Sequence, residues 1–352
     1  MDLHDDSTRS RLTVDRLMRK LNGYLQEGEV DEISVNRPGE VWTKTFNGWS
    51  RHEDSTITQD FLESLTTAVS TFNAVNPSSL NYLTMPDGER CTVARGASVQ
   101  EGTYAVAMRK HKVTVKTLDE LDQEGAFSAC KDVSINKPSE TEAIALSKKP
   151  GFDGLDEVEL GLLALKRTGS IAEFLHAAVL AKRNIIIAGK TGSGKTTLAR
   201  SLIEIVPASE RIITIEDVHE LKLPNHPNSV HLLYGSGRGR VPAKDCLAAC
   251  MRLSPDRIML AEMRGSEAWD YLNSLNTDHG GGVSTVHAND ARATFDRLGS
   301  LIKASDVGRS LDYQTILQAL YSTVHVVIFM RSRRVLEIFY DPVFAKSHLL
   351  TR

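Results

Sequence analysis

The chain has 352 residues, of which 41% are hydrophobic and 25% charged, with a formal net charge of −3. This is the composition of a soluble globular protein too long for a single core, so two domains are expected. The slightly negative balance excludes a whole-chain basic field for nucleic acid, leaving only local patches. No run approaches the length of a membrane span, and the polar start Met1-Asp2-Leu3-His4-Asp5-Asp6 lacks a signal-peptide core, so the expected location is the cytoplasm, alone or held at a membrane by partners.

The first part reads as α+β. Glu32–Val35 and Glu40–Phe46 have strand character and are joined by Asn36-Arg37-Pro38-Gly39, whose Pro-Gly pair suits a type II turn. Asn47-Gly48 signals a second hairpin. From Thr58 to about Val75, Phe61, Leu62, Leu65, Ala68, Val69 and Phe72 recur at helical spacing, with Thr58 as N-cap. Strands follow near Leu80–Thr84, Arg90–Arg95 and Thr103–Arg109, and Thr117-Leu118-Asp119-Glu120 has the form of a capping box. Residues 127–155 lose periodicity and gather Ser, Lys, Pro, Glu and Gly, which reads as a linker between a domain of residues 1–126 and one of residues 156–352.

Beyond that stretch the pattern alternates helices with short apolar strands at Asn184–Ala188, Arg211–Ile215, Arg257–Ala261 and Gly282–Val286, before a hairpin of Val324–Met330 and Val335–Tyr340. Such alternation predicts an α/β fold with a mostly parallel sheet. Cys91, Cys130, Cys246 and Cys250 form no C-x-x-C pair and read as reduced structural thiols.

The chemistry centres on Gly189-Lys190-Thr191-Gly192-Ser193-Gly194-Lys195-Thr196, a complete G-x-x-x-x-G-K-[ST] between an apolar strand and the helical run Thr196–Ile203. The glycines let backbone N–H groups turn inward around phosphate oxygens, and the helix directs its positive end at them. Lys195 adds a mobile charge, Thr196 a hydroxyl for Mg²⁺, and Thr197 continues the first turn. Nucleoside triphosphate hydrolysis also needs acids to hold metal and water, and in a parallel sheet these come from strand ends facing the phosphate loop. Glu262 and Glu216 both end apolar strands; Glu262 is the first choice for the attacking water, and Glu216 is a second, through metal-bound water. Asp217 and Glu220 read as structural.

His279-Gly280-Gly281-Gly282 and Ser284-Thr285-Val286-His287-Ala288-Asn289 form another unusual segment. A histidine at a strand end can donate to a phosphate oxygen, a role given to His287 more readily than to His279, and the glycines permit either hinge motion or close backbone approach. The loop Tyr234–Arg240 reads as solvated, although Arg238 and Arg240 could meet a pore, DNA or a partner.

In this order the phosphate loop, Thr214-Ile215-Glu216-Asp217, Ala261-Glu262-Met263-Arg264-Gly265-Ser266-Glu267-Ala268 and Ser284–Asn289 resemble the Walker A, Asp box, Walker B and His box of secretion traffic ATPases. Glu32–Trp42 further resembles the opening hairpin of the VirB11-type ATPases of type IV secretion and conjugation. The resemblance implies a RecA-like P-loop C-terminal domain, a smaller α+β N-terminal domain, ATP and Mg²⁺ as ligands, and a homohexamer at the cytoplasmic base of a secretion channel. It also implies contact with inner-membrane and other ATPase components, DNA or protein cargo, and peripheral membrane association. An N-terminal-domain arginine approaches the phosphates in that family, and Arg109 stands in the matching place; Arg252 and Arg264 are further candidates for a phosphate or a neighbouring subunit. Asp278 before His279 departs from the family's usual small residue and would alter the pairing of that histidine. Alternatives are a type II secretion ATPase, a type IV pilus assembly or retraction ATPase, a DNA translocase or helicase on the same core, and an assembly subunit with little turnover.

Overall fold

The computed structural model describes residues 3–26, 30–45, 47–110, 115–148, 154–235, 240–277 and 279–349. Asp278 and Arg238, singled out above, lie outside them. The chain divides into two compact units, one of Met1–Val113 with Val218–Glu220 and Gly235–Arg240, the other comprising the rest.

The first unit opens with α1 (Leu3–Gln26), a helix not expected from the polar opening residues. Its Val14, Met18, Leu21 and Leu25 fall at helical spacing and are buried, which is why a chain with a polar start nonetheless folds here. There follow β1 (Glu32–Val35), β2 (Glu40–Thr45), β3 (Gly48–Glu53), α2 (Gln59–Phe72), β4 (Leu80–Thr84), β5 (Arg90–Ala94) and β6 (Ala105–Arg109). The strands form one antiparallel sheet in the order β3-β2-β1-β6-β5-β4. Gly39 takes the positive φ of 88° that the Pro-Gly turn requires. The Thr58 side chain caps α2 by accepting from the Phe61 N–H, and the expected stripe Phe61, Leu62, Leu65, Ala68 and Val69 is buried.

The second unit starts earlier than the linker reading placed it. α3 (Leu118–Gln123), with the anticipated capping box at Thr117, puts Leu118 and Leu121 into the second unit's core together with Phe127 and Leu155. β7 (Lys131–Asp132) pairs with the sheet, and α4 (Glu140–Ser147) carries its own capping box. Within this stretch, residues 131–132 and 140–147 are therefore folded. For β7 the polar composition conceals this because its two residues pair with a strand far away in the chain, whereas α4 had a local signal in the capping box of Ser139 and Glu142.

The remaining elements are α5 (Glu157–Thr168), α6 (Ile171–Leu180), β8 (Ile185–Gly189), α7 (Lys195–Ile203), β9 (Ile212–Glu216), β10 (Ser229–Leu233), α8 (Ala243–Cys250), β11 (Arg257–Met263), α9 (Glu267–Leu275), β12 (Val283–Val286), α10 (Ala293–Lys303), α11 (Asp306–Ser310), α12 (Tyr313–Thr323), β13 (Val326–Arg331), β14 (Arg334–Phe339) and α13 (Pro342–Leu349). The sheet order is β10-β9-β11-β12-β8-β13-β14-β7, parallel from β10 through β13. Every residue of β8, β9 and β12 is buried, as the apolar runs demand of strands covered on both faces. Cys246 and Cys250 are buried on α8, in keeping with structural thiols, and burial pushes the Cys250 thiol up to about 12.

The glycine run before β12 serves close approach. A Cβ at Gly282 would stand 2.5 Å from both the Tyr271 hydroxyl and Leu275, and one at Gly281 would stand 2.6 Å from Arg257. Both glycine N–H groups donate to the Asn184 side-chain oxygen. The fully buried Arg257 is itself held by Glu210 and by the Val179 carbonyl. Among the described residues, no helix is long and apolar enough to cross a membrane.

Candidate active site

The phosphate loop follows directly from β8. Gly189, Gly192 and Gly194 all have positive φ, and a Cβ at Gly189 would lie 2.4 Å from the Met330 carbonyl oxygen of β13, so the strand cannot carry a side chain where the loop begins. β13 and β14 brace the loop from the other side, because the Arg333 N–H donates to the Ser193 carbonyl at 3.0 Å. Ser332 and Arg333 adopt positive φ in that hairpin turn. Nothing in the sequence marked this brace, since a Ser-Arg pair is not a turn signature.

Lys195 is buried and donates to the Gly189 and Lys190 carbonyls at 2.8 and 3.1 Å. The buried Ser193 hydroxyl has no hydrogen-bond partner among the described residues. An unpaired hydroxyl, a buried ammonium and left-handed glycines ahead of α7 fit a phosphate, and Thr196 and Thr197 in the helix's first turn add hydroxyls. Thr191 and Gly192 are exposed at the tip.

Parallel strands bring the acids to the same edge. The β11–β12 register shifts between Leu260 and Glu262, so Glu262 stands opposite Thr285, a local irregularity of the kind that re-aims a side chain near a site. The Glu262 Oε1 lies 2.8 Å from the His287 Nε2, while the His287 Nδ1 lies 3.0 Å from the Gly189 carbonyl oxygen. That carbonyl can only accept, so Nδ1 carries the ring proton. Burial and the Lys195 charge together lower the His287 pKa against the pull of Glu262. Nε2 and Oε1 thus face one another, and Oε1 has no hydrogen-bond partner that meets the geometry of one among the described residues.

Arg264 is drawn into this cluster. Its Nε and Nη2 donate to Glu262 Oε2 at 3.0 and 2.7 Å, and its Nη1 to Asp217 Oδ2 at 2.5 Å. Asp217 thus anchors the Arg264 guanidinium. Glu216 is fully buried; its Oε1 accepts from the Thr214 hydroxyl at 2.7 Å and its Oε2 from the Leu221 N–H at 2.8 Å. Both Glu216 oxygens are thus held by the protein's own donors.

Two candidates are not brought to this edge. Arg252 is exposed just past α8, where Arg211 at the foot of β9 bonds the neighbouring Leu253 carbonyl, so within this chain it sits at the opposite end of the sheet. His279 shares that end and lies 2.9 Å from the Pro255 carbonyl oxygen. Arg109 belongs to the first unit, on β6, in register with Glu32 and Arg90.

A cavity of about 200 Å³ opens beside the loop, lined among others by Lys190, His287, Asn289, Ala293 and Arg297. Arg297 had no sequence signal. Its place beside the site follows from Ala293 and Arg297 being four apart on α10.

A phosphate loop on a parallel α/β sheet with strand-end acids and a histidine at the same edge defines a P-loop nucleotide-binding protein. Residues 156–337 match the family model described as type II/IV secretion system protein. The chain is 36% identical over 340 residues to the type IV secretion system protein VirB11 of Brucella suis, covering 92% of this chain and 89% of that protein. It is 34% identical over 353 residues to the type IV secretion system protein PtlH of Bordetella pertussis, covering 96% and 98%. The crystal structure of the VirB11 ATPase from the Brucella suis type IV secretion system in complex with sulphate matches with a TM-score of 0.53 at 34% identity, covering 98% of this chain and 99% of that one. The chain belongs to the type II/IV secretion system protein family, within its VirB11-type ATPases.

Proposed function

We propose that this protein is a motor subunit that hydrolyses Mg-ATP for a type IV secretion or conjugative transfer system. The observation that carries this reading is the convergence on one carbonyl: Lys195 and His287 both meet the Gly189 oxygen, and His287 meets Glu262 in turn. Phosphate contact at the loop and the acid beside it are thereby linked through two side chains.

In this reading Gly189, Thr191, Gly192, Ser193, Gly194, Lys195, Thr196 and Thr197 bind the triphosphate, and Glu262 takes the proton of the attacking water, with His287 Nε2 sharing it. Arg264 holds Glu262 in position. Mg²⁺, held by Thr196 and Glu262 with Glu216 behind, would neutralise charge developing on the phosphate oxygens. Arg109, Arg252 and Arg297 are candidates for phosphate contact, Arg252 from a neighbouring copy.

The assembly proposed is a homohexamer at the cytoplasmic base of the channel, peripheral at the inner membrane, working with membrane and other ATPase components on DNA or protein cargo. The family membership and the length shared with its relatives support it.

The test is ATP turnover and sedimentation of the full chain. The wild type is expected to release phosphate as a ring, and Lys195→Ala to abolish turnover. Undiminished turnover in Lys195→Ala would overturn the site assignment, and a monomer active at saturating ATP would overturn the ring. DNA-stimulated, salt-sensitive turnover would instead mark a DNA translocase.

A further inference from the structure

A second cavity, of about 110 Å³, lies at the other end of the sheet, at the foot of β13 and β14. Arg183, in its wall, precedes β8, whereas the phosphate loop follows that strand, so the cavity is separate from the site above. Glu159, His325, Tyr340, Asp341 and Lys346 also line it, among the aromatic rings of Tyr321, Phe339 and Phe344.

Two buried donors in its wall have no hydrogen-bond partner among the described residues. Tyr340 is 2% exposed, yet its hydroxyl has no hydrogen-bond partner among the described residues. The Arg183 Nε–H is likewise buried without one, although its Nη2 lies 3.6 Å from Asp156. His325 Nδ1 accepts the Asn184 N–H at 2.9 Å, which puts the ring's single proton on Nε2 and makes a third donor.

The acidic groups, by contrast, are supplied. Glu159 Oε2 accepts from the Asp156 N–H at 2.9 Å and from Lys346 at 2.6 Å. Asp341 accepts from the Asn136 N–H at 2.6 Å and the Phe344 N–H at 2.9 Å. Leaving a buried donor unpaired costs free energy that a native protein rarely gives up without use.

We propose that this cavity binds a small planar monocarboxylate, with Arg183 Nε–H and Tyr340 O–H donating to its oxygens. The aromatic walls suit a flat ligand. The two carboxylates in the wall already offset Arg183 and Lys346, so each added negative charge is opposed and a monoanion is favoured over a dianion such as phosphate.

The probe is benzoate, titrated calorimetrically into the full-length protein. Saturable, one-to-one uptake by the wild type and by Lys195→Ala is expected, since the phosphate loop is not involved. Tyr340→Phe removes only a hydroxyl without a partner among the described residues, so its melting temperature without ligand should match the wild type, while its benzoate affinity falls about tenfold, the worth of one hydrogen bond. Arg183→Gln provides the same comparison independently of how Tyr340→Phe folds. The proposal is overturned if the wild type takes up no benzoate, as for a cavity holding only water, if inorganic phosphate binds as tightly as benzoate, or if both variants bind benzoate as well as the wild type.

Discussion

His325 ties acidity to the stability of the nucleotide-binding unit. Its Nδ1 accepts the N–H of Asn184, the residue that leads into β8, so the ring must be neutral for that bond to exist. Burial, followed by the Arg183 charge, lowers its pKa from 6.5 to about 4 against the pull of Asp156. Between those values the unfolded chain takes up a proton that the folded chain refuses. Stability is therefore full above about pH 6.5 and falls as the pH drops toward 4. At ~1.4 kcal/mol per pH unit the whole interval is worth ~3 kcal/mol, an upper figure because part of the ring meets solvent. The measurement is urea unfolding at pH 7 and at pH 5 in a Trp42→Phe, Trp49→Phe background, where Trp269 on α9 alone reports the second unit. His325→Asn keeps an acceptor for the Asn184 N–H and removes the titration. Its unfolding midpoint should fall less than the parent's between the two pH values. An equal fall in both proteins would refute the argument.

Glu262→Gln should leave nucleotide binding intact and lower kcat by ~10²-fold or more, the usual worth of a positioned base; single-turnover phosphate release checks it. His287→Asn preserves a polar contact to Gly189 and loses the Nε2 next to Glu262, so kcat should fall with little change in nucleotide Kd; a change confined to Kd would contradict the shared-proton reading. Gly282→Ala drives a Cβ to 2.5 Å from the Tyr271 hydroxyl and Leu275, and should cost ~2 kcal/mol, read as a lower melting temperature.

Much of the second unit was legible in the sequence because its parallel strands are short apolar runs bounded by turn residues, and because a phosphate loop has few other uses. The strands β8, β9, β11 and β12 fall within one or two residues of their expected places. β7 was not legible, since its two polar residues gain their place by pairing with β14, and α4 was missed although Ser139 and Glu142 form a capping box. α1 was missed for a related reason: its apolar stripe sits in a segment whose overall composition is polar.

By itself the sequence determined the type of chemistry, through residues whose roles depend on local spacing: the glycines, Lys195 and Thr196 of the loop, and the strand-end positions of Glu216 and Glu262. Tertiary structure alone decided which of the remaining groups meet. It set His287 between Gly189 and Glu262, moved Arg252 and His279 to the far end of the sheet, bound Arg264 to Glu262 and Asp217, and braced the loop with the Arg333 turn. The physical reason is that a phosphate cradle is made of consecutive residues, whereas proton and charge contacts depend on strand order and register, which join residues far apart in the chain.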